Sequence, residues 1–171
     1  ENCFIMKDVQ TDLIFTALPT DYVTRLWPQI AKVLEKSVAT ADGKYTTDDV
    51  YSRIMDEELV AWVVLDPAKD DEIIAAITTR LVKYPNRYGM SMDFIGGARM
   101  QEWLPMAHSQ ILRYAKDHNC WHMEGYGRKG WGRWLRRYGW FEDYTVFTLN
   151  LENGEPNPST RATEYVKMEI D

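Results

Sequence analysis

This sequence has only two cysteines, three histidines and no excess of positive charge, and each of these features argues against a class of protein or site. The two cysteines, Cys3 and Cys120, lie far apart without a Cys-x-x-Cys spacing, and the three histidines have no metal-ligand spacing, so we predict no metal site. The net charge of −6 argues against a protein that binds nucleic acid electrostatically. Gly-x-Ser-x-Gly and Walker motifs are also missing, which leaves serine-hydrolase and P-loop chemistry without support.

Long apolar runs and targeting signals are missing too. No apolar run approaches the roughly 20 residues that a membrane-spanning helix needs, so no membrane partner is expected. The first ten residues show no basic stretch followed by an apolar one, so we recognise no signal peptide. The two cysteines are therefore expected to be reduced thiols in a cytoplasmic protein, with a single Cys3–Cys120 disulfide as the alternative.

What the sequence does contain is the pattern of one α/β domain over residues 1–151. Three apolar segments of strand length, separated by polar turns, are compatible with antiparallel pairing. They are residues 59–65, 73–83 and 87–95. A glycine turn at 96–97 then opens a long helix, which leads to a strand at 120–125. Because a crossover of that length makes its flanking strands parallel, we predict a mixed, mostly antiparallel sheet with helices on both faces.

The N-terminal part predicts one or two short strands and two helices. Apolar runs lie at 3–6 and 13–18, of which one or both are predicted to be strand, and the second ends at Pro19. Thr20 can cap a helical pattern, inside which Pro28 predicts either the true helix start or a kink. Thr46 is followed by acidic residues and predicts the N-cap of a second, shorter helix.

A basic helix, a last strand and an acidic tail are predicted at the C-terminal end. The helix spans 128–138 and concentrates positive charge in an otherwise acidic chain. Its basic residues are Arg128, Lys129, Arg133, Arg136 and Arg137. They either meet phosphates or an acidic partner, or form a solvated face paired with Glu142 and Asp143. The strand is predicted at 144–151, and residues 152–171 read as a turn-rich extension outside the core.

Two segments resemble the GCN5-related N-acetyltransferase (GNAT) superfamily, and more narrowly the divergent GNAT-like proteins encoded by tailed phages. Residues 127–140, Gly-Arg-Lys-Gly-Trp-Gly-Arg-Trp-Leu-Arg-Arg-Tyr-Gly-Trp, resemble the family's Asn-x-x-x-Ala-x-x-Leu-Tyr-x-x-x-Gly-Phe segment. Residues 111–120 resemble the end of its central helix and the entry to its fifth strand. The resemblance spans residues 20–151. It implies a splayed parallel strand pair that binds acyl-CoA and direct transfer of the acyl group to an amine.

The family's phosphate-binding motif, Arg/Gln-x-x-Gly-x-Gly/Ala, has no regular counterpart in this chain. Its Arg aligns with Arg99, which places its two glycines on Glu102 and Leu104. Glu102 would bring bulk and negative charge to the place of an anion. The phosphate loop is therefore either displaced to the preceding glycines or lost. In the first case the residues that bind acetyl-CoA or another acyl-CoA are Phe94, Ile95, Gly96, Gly97, Ala98 and Arg99.

Glu124, His122 and Asp93 are the candidate catalytic residues. Alternation along the fifth strand places His122 and Glu124 on one face. They are either a base that takes the amine proton, directly or through water, or a satisfied buried polar pair. Asp93 is either a base or the cap of the glycine turn. The tyrosine that protonates the leaving thiolate in many family members is replaced by Leu135, with Tyr138 three residues away.

Two functions follow from these residues and from the resemblance. The first is an acyl-CoA-dependent N-acyltransferase that acts on a small-molecule or protein amine. The second is a catalytically inactive GNAT-like phage protein that works by contact with a phage or host protein, in the virion, in assembly or on a host factor. Such a phage protein would be found in the host cytoplasm or in the virion. The fold favours the first function, and the missing glycines favour the second.

Overall fold

The computed structural model describes residues 10–41, 43–128, 130–149 and residue 151. The chain divides into two compact units, one ending at Arg128 and the other beginning after it. Each unit is described by itself. Cys3, the apolar run at 3–6 and the predicted extension at 152–171 fall outside the described residues.

The first unit is built on a five-stranded sheet with the strand order β1-β2-β3-β4-β5. In chain order its elements are β1 (Ile14–Ala17), α1 (Thr20–Ala39), α2 (Thr47–Met55), β2 (Val60–Asp66), a 3₁₀ turn (Pro67–Lys69), β3 (Glu72–Lys83), β4 (Tyr88–Gly97), α3 (Met100–Asp117) and β5 (Cys120–Gly125). Strands β1 to β4 pair antiparallel, and β4 pairs parallel with β5. The crossover between the parallel strands is α3, and this arrangement confirms the predicted fold class.

Helices cover both faces of the sheet. Helices α1 and α2 share an apolar core with alternate side chains of the strands. Its buried members are Val23, Ile30, Leu34, Val38, Val50, Ile54, Leu59, Ala61, Val63, Ile73, Ala76 and Phe94. On the opposite face, Trp62 packs edge-on against Tyr114 of α3, their ring centroids 5.3 Å apart. Because successive strand residues point to opposite faces, Ala61 and Val63 face α1 and α2 while Trp62 faces α3.

The predicted N-cap of α2 is confirmed, whereas the predicted helix start at Pro28 is wrong. The Thr46 hydroxyl accepts the backbone N–H of Asp49 at 3.2 Å, and the Asp49 carboxylate accepts the Thr46 N–H at 2.8 Å, which confirms the predicted N-cap of α2. Helix α1 runs without interruption from Thr20 through Pro28, so the predicted helix start at Pro28 is wrong. Pro28 removes only one helical hydrogen bond, and burial of four α1 side chains outweighs that loss.

The predicted glycine turn is wrong, because Gly96 and Gly97 are the last residues of β4 and pair with Ala76 and Ala75. A Cβ at Gly96 would lie 2.1 Å from the carbonyl oxygen of Val33 in α1. A Cβ at Gly97, which has φ +128°, would lie 2.3 Å from the carbonyl oxygen of Ile74. The two glycines therefore allow α1 and β3 to approach the end of β4 closely.

The second unit contains one short helix, α4 (Trp131–Arg136), within the part of the chain that the structure describes. Helix α4 covers only the middle of the predicted segment 128–138, and Gly130 begins it without a side-chain cap. Residues 141–149 and 151 have no regular secondary structure, so the strand predicted at 144–151 is wrong for these positions. The apolar side chains at 144, 146, 147, 149 and 151 are exposed.

Candidate functional site

The parallel strands β4 and β5 separate at one end of the sheet. Their pairing runs from Tyr88 opposite Cys120 to Met92 opposite Gly125. Strand β4 continues for residues 93–97, still paired with β3 through Gly97 but without β5 on its other side. The Ile95 N–H in this stretch donates to the Ser37 hydroxyl at 3.2 Å. The strands thus form the splayed pair that the resemblance implies.

Two side chains of β5 meet a third, which directly follows β3, beside Gly89 in the paired part of β4 that precedes the splay. The Tyr84 hydroxyl donates to the Glu124 carboxylate, with its oxygen 2.7 Å from Oε1 and 2.9 Å from Oε2. His122 Nε2 lies 3.4 Å from Glu124 Oε1, and the side chain of Glu124 is 17% exposed. Gly89 makes this arrangement possible, because a Cβ there would lie 2.7 Å from His122 Nε2. The predicted carboxylate–imidazole pair is therefore present, and Tyr84 adds a third member.

Asp93 lies within β4 and forms an ion pair with Arg80 of β3. Arg80 Nε is 2.8 Å from Asp93 Oδ2, and the Ser91 hydroxyl donates to Asp93 Oδ1 at 2.5 Å. The alternative in which Asp93 caps a glycine turn is wrong, because the turn is absent and the carboxylate is taken by these partners. The Asp93 hydrogen bond raises the pKa of Arg80, to which the negative charge of Glu124 also contributes.

Arg99, which precedes α3, binds two carboxylates. Its Nε and Nη2 donate to Glu102 Oε2 and Oε1 at 2.5 and 3.0 Å, and its Nη1 donates to Asp66 Oδ2 at 2.6 Å. Asp66, the last residue of β2, is only 5% exposed, and its other oxygen accepts the Ala68 N–H. The hydrogen bonds from Arg99 lower the pKa values of both Asp66 and Glu102. We call these three residues the Arg99 cluster.

The other residues predicted to bind acyl-CoA serve the protein's own packing. The Phe94 ring is buried in the core of α1 and α2, with its centroid 5.5 Å from that of Tyr45. The Ala98 N–H donates to the Ile74 carbonyl at 3.0 Å, and the Ala98 carbonyl accepts from Trp103 Nε1 at 2.8 Å. Among the six predicted residues, Arg99 alone carries a charged side chain, and that charge is paired.

Sequence reasoning missed Tyr84, Arg80 and Asp66. Tyr84 lies 40 residues from Glu124 along the chain, and Asp66 lies 33 residues from Arg99. No local pattern marks such pairs. The signal that could have found them is a charged or hydroxyl side chain at the end of a strand that is otherwise apolar.

Two basic residues of the second unit, Arg136 and Arg137, have partners within that unit. Arg136 Nη2 lies 3.9 Å from Glu142 Oε1, and the Arg137 guanidinium lies 5.1 Å from the centroid of the Trp134 ring. These contacts agree with the solvated-face interpretation for the two arginines. Lys129 falls outside the described residues.

Among the described residues, no group of three or more His, Cys, Asp and Glu side chains is placed to hold a metal ion. The thiol of Cys120 is free, and burial raises its pKa. None of the helices in the described ranges combines the length and apolar character needed to cross a membrane.

Comparison with known proteins places the fold among acetyltransferases. No family model and no curated protein matches the sequence. A predicted acetyltransferase from Clostridium acetobutylicum, solved with acetyl-CoA, is similar with a TM-score of 0.61 at 12% identity, over 81% of this chain and 96% of that one.

Two further structures give the same result. A GNAT family acetyltransferase from Staphylococcus aureus is similar with a TM-score of 0.59 at 12% identity, over 82% of this chain and all of that one. Glucosamine-6-phosphate N-acetyltransferase from Arabidopsis thaliana is similar with a TM-score of 0.59 at 11% identity, over 81% and 97%. At these identities the likeness shows a shared GNAT fold alone.

Proposed function

We propose that this protein is an N-acyltransferase that moves an acyl group from a thioester donor to an amine at the β4–β5 splay. The observation that carries the proposal is Glu124, which pairs with Ser91 one position before the splay of the parallel pair in a GNAT fold and whose carboxylate lies beside Gly89. The donor class is acetyl-CoA or another acyl-CoA, and the acceptor is a small-molecule or protein amine.

The two ends of such a donor fit this chain differently. The stretch 93–97 of β4 has no strand on the β5 side, so an extended arm with amide groups can lie along it as an added strand. Residues Phe94 to Gly97 would contact that arm through their backbone, apart from the N–H groups of Phe94 and Ile95, which donate to the hydroxyl groups of Thr78 and Ser37. The diphosphate end does not fit, because the Arg99 cluster fills the place before α3 with the protein's own carboxylates. The acyl transfer therefore does not depend on the diphosphate.

Glu124 is the residue we assign as general base. As the acceptor nitrogen bonds to the acyl carbon, Glu124 accepts the proton that the nitrogen loses, directly or through one water. The carbon–sulfur bond breaks, and the leaving sulfur gains a proton from solvent. His122 and Tyr84 hold the Glu124 carboxylate in place. Asp93 is the weaker candidate, because its carboxylate forms an ion pair with the permanently charged guanidinium of Arg80, whereas Glu124 forms no ion pair with an arginine or lysine among the described residues.

Calorimetry with acetyl-CoA and a thiol-release assay with a panel of amines test this function. We expect binding at millimolar donor or below, and turnover with at least one amine. Glu124→Gln should leave donor binding unchanged and lower turnover by about a hundredfold or more, the usual contribution of a general base. Glu58→Gln, which removes a carboxylate on another part of the chain that pairs with Arg53, is the control and should change neither. No binding at millimolar acetyl-CoA would reject the enzyme.

A catalytically inactive phage or host contact protein is the second candidate. Exposed aromatic surface favours it: Trp121 on β5 is 76% exposed, and the Arg87 guanidinium lies 5.6 Å from the centroid of its ring. Aromatic and arginine side chains together are typical of binding hot spots. This candidate predicts no donor binding and no turnover, so the same two assays separate the two functions.

A further inference from the structure

We propose that this protein recognises its donor by the acyl-thioester arm and not by the diphosphate of coenzyme A. The Arg99 cluster occupies the place before α3 where the diphosphate would lie. The inference rests on the proposed transferase function and specifies its donor. A short thioester without the nucleotide, such as S-acetyl-pantetheine, should then serve the protein about as well as acetyl-CoA.

The first support is that Arg99 has little capacity left for a phosphate. A guanidinium has five N–H donors in a fixed planar arrangement. Both carboxylate oxygens of Glu102 accept hydrogen bonds from Arg99, one from Nε and one from Nη2. This is the bidentate geometry that a phosphate would use. Asp66 takes Nη1. Three of the five donors are therefore taken, and a phosphate would have to displace Glu102 to use the Nε and Nη2 side of Arg99.

The second support is the charge at this place. Two carboxylates around one guanidinium leave one net negative charge, which repels an incoming dianion. Because Arg99 lowers the pKa of both carboxyl groups, they stay ionised at neutral pH. Asp66 is also held by the Ala68 N–H and is buried, so it cannot turn away to solvent.

The third support comes from the backbone. Anion sites at helix starts depend on free backbone N–H groups. Here the Ala98 N–H donates to the Ile74 carbonyl, and the Glu102 N–H donates to the Arg99 carbonyl at 3.0 Å. Arg99 itself has a left-handed backbone, with φ 60°. Two backbone donors beside the start of α3, the N–H groups of Ala98 and Glu102, are thus taken by carbonyl groups of the protein and are not presented to a ligand.

The competing view is that the Arg99–Glu102 contact is an ordinary surface ion pair that opens when a diphosphate arrives. Glu102 is 44% exposed, and exposed pairs are weak. The two views predict different donor preferences. If the Arg99–Glu102 pair opens, the protein should bind acetyl-CoA more tightly than S-acetyl-pantetheine. If the Arg99 cluster stays closed, the protein should bind the two donors about equally.

Calorimetric titration of the full chain with acetyl-CoA and with S-acetyl-pantetheine decides between them. We expect dissociation constants that agree within about threefold. A preference for acetyl-CoA of about tenfold or more, which one charge-assisted hydrogen bond to a phosphate would supply, would overturn the inference and leave the proposed function intact. If neither donor binds at millimolar concentration, the transferase function fails and this inference falls with it.

The Glu102→Gln variant tests whether the Arg99 cluster is what prevents the diphosphate of acetyl-CoA from binding. Glu102→Gln keeps the shape of the side chain and removes its charge, so acetyl-CoA should bind about two- to fivefold tighter while S-acetyl-pantetheine is unchanged. Glu58→Gln, the matched exposed carboxylate paired with Arg53 at 2.9 Å, should change neither affinity. Equal affinity for acetyl-CoA in wild type and Glu102→Gln would show that the cluster does not exclude the diphosphate.

Discussion

Removal of the Tyr84 hydroxyl probes the interaction that orders the candidate base. Tyr84→Phe keeps the ring and deletes the group that lies 2.7 and 2.9 Å from the two Glu124 oxygens. Hydrogen bonds to charged groups contribute about 1.5–3 kcal/mol. Because Tyr84 is 39% exposed, water replaces part of that interaction, and we expect the free energy of unfolding to fall by about 1 kcal/mol. For a chain of this size that loss lowers the Tm by about 2–4 °C.

A double-mutant cycle with Glu124→Ala isolates the pair. Urea denaturation of wild type, the two single variants and the double variant should give a coupling free energy of about 1 kcal/mol. Tyr22→Phe on α1, a similarly exposed tyrosine, is the control and should not couple to Glu124. A coupling below about 0.3 kcal/mol, the scatter expected for independent sites, would refute the assigned role of Tyr84. In a protein that turns over, Tyr84→Phe should also lower turnover more than it changes donor affinity.

Three further predictions concern the scaffold. Gly96→Ala should lower the free energy of unfolding by about 1–3 kcal/mol, because its Cβ would lie 2.1 Å from the Val33 carbonyl oxygen; an unchanged urea midpoint would contradict the close approach of α1. Burial lowers the pKa of His108 below its usual 6.5, so the unfolded chain binds more protons. Stability should therefore fall by up to about 1.4 kcal/mol per pH unit as the pH drops below about 6.5, and His108→Gln should flatten that dependence in thermal melts. Thr46→Ala should cost about 1 kcal/mol through loss of the α2 N-cap, and Thr46→Asn should restore most of it in the same denaturation assay.

The sheet and its crossover were predictable because they follow local rules. Continuous apolar runs of strand length identified β2 and β3, and a single apolar face identified α3. Alternation along β5 placed His122 and Glu124 together, since strand geometry alone fixes that relation. Likewise the sequence signature of a capping box located the start of α2.

The rest depends on contacts between distant segments. Tyr84 with Glu124 and Asp66 with Arg99 are separated by 40 and 33 residues, so only the folded sheet brings them together. Gly96 has the local pattern of a turn, but it lies in a strand, where the backbone of α1 approaches too closely to leave room for a Cβ. The run at 144–151 has the apolar pattern of a strand, yet its described residues have no regular secondary structure. Local periodicity alone does not decide whether a strand forms.

The central claim is that a thioester donor binds at the splay of β4 and β5 beside Glu124. Titration of ¹⁵N-labelled protein with acetyl-CoA, followed by backbone amide NMR shifts, tests it most directly. We predict saturable shifts concentrated at residues 93–97 and at Glu124 and Gly125, with small shifts at Arg99 and Glu102. No shifts at millimolar donor, or shifts confined to surfaces away from the splay, would contradict the claim.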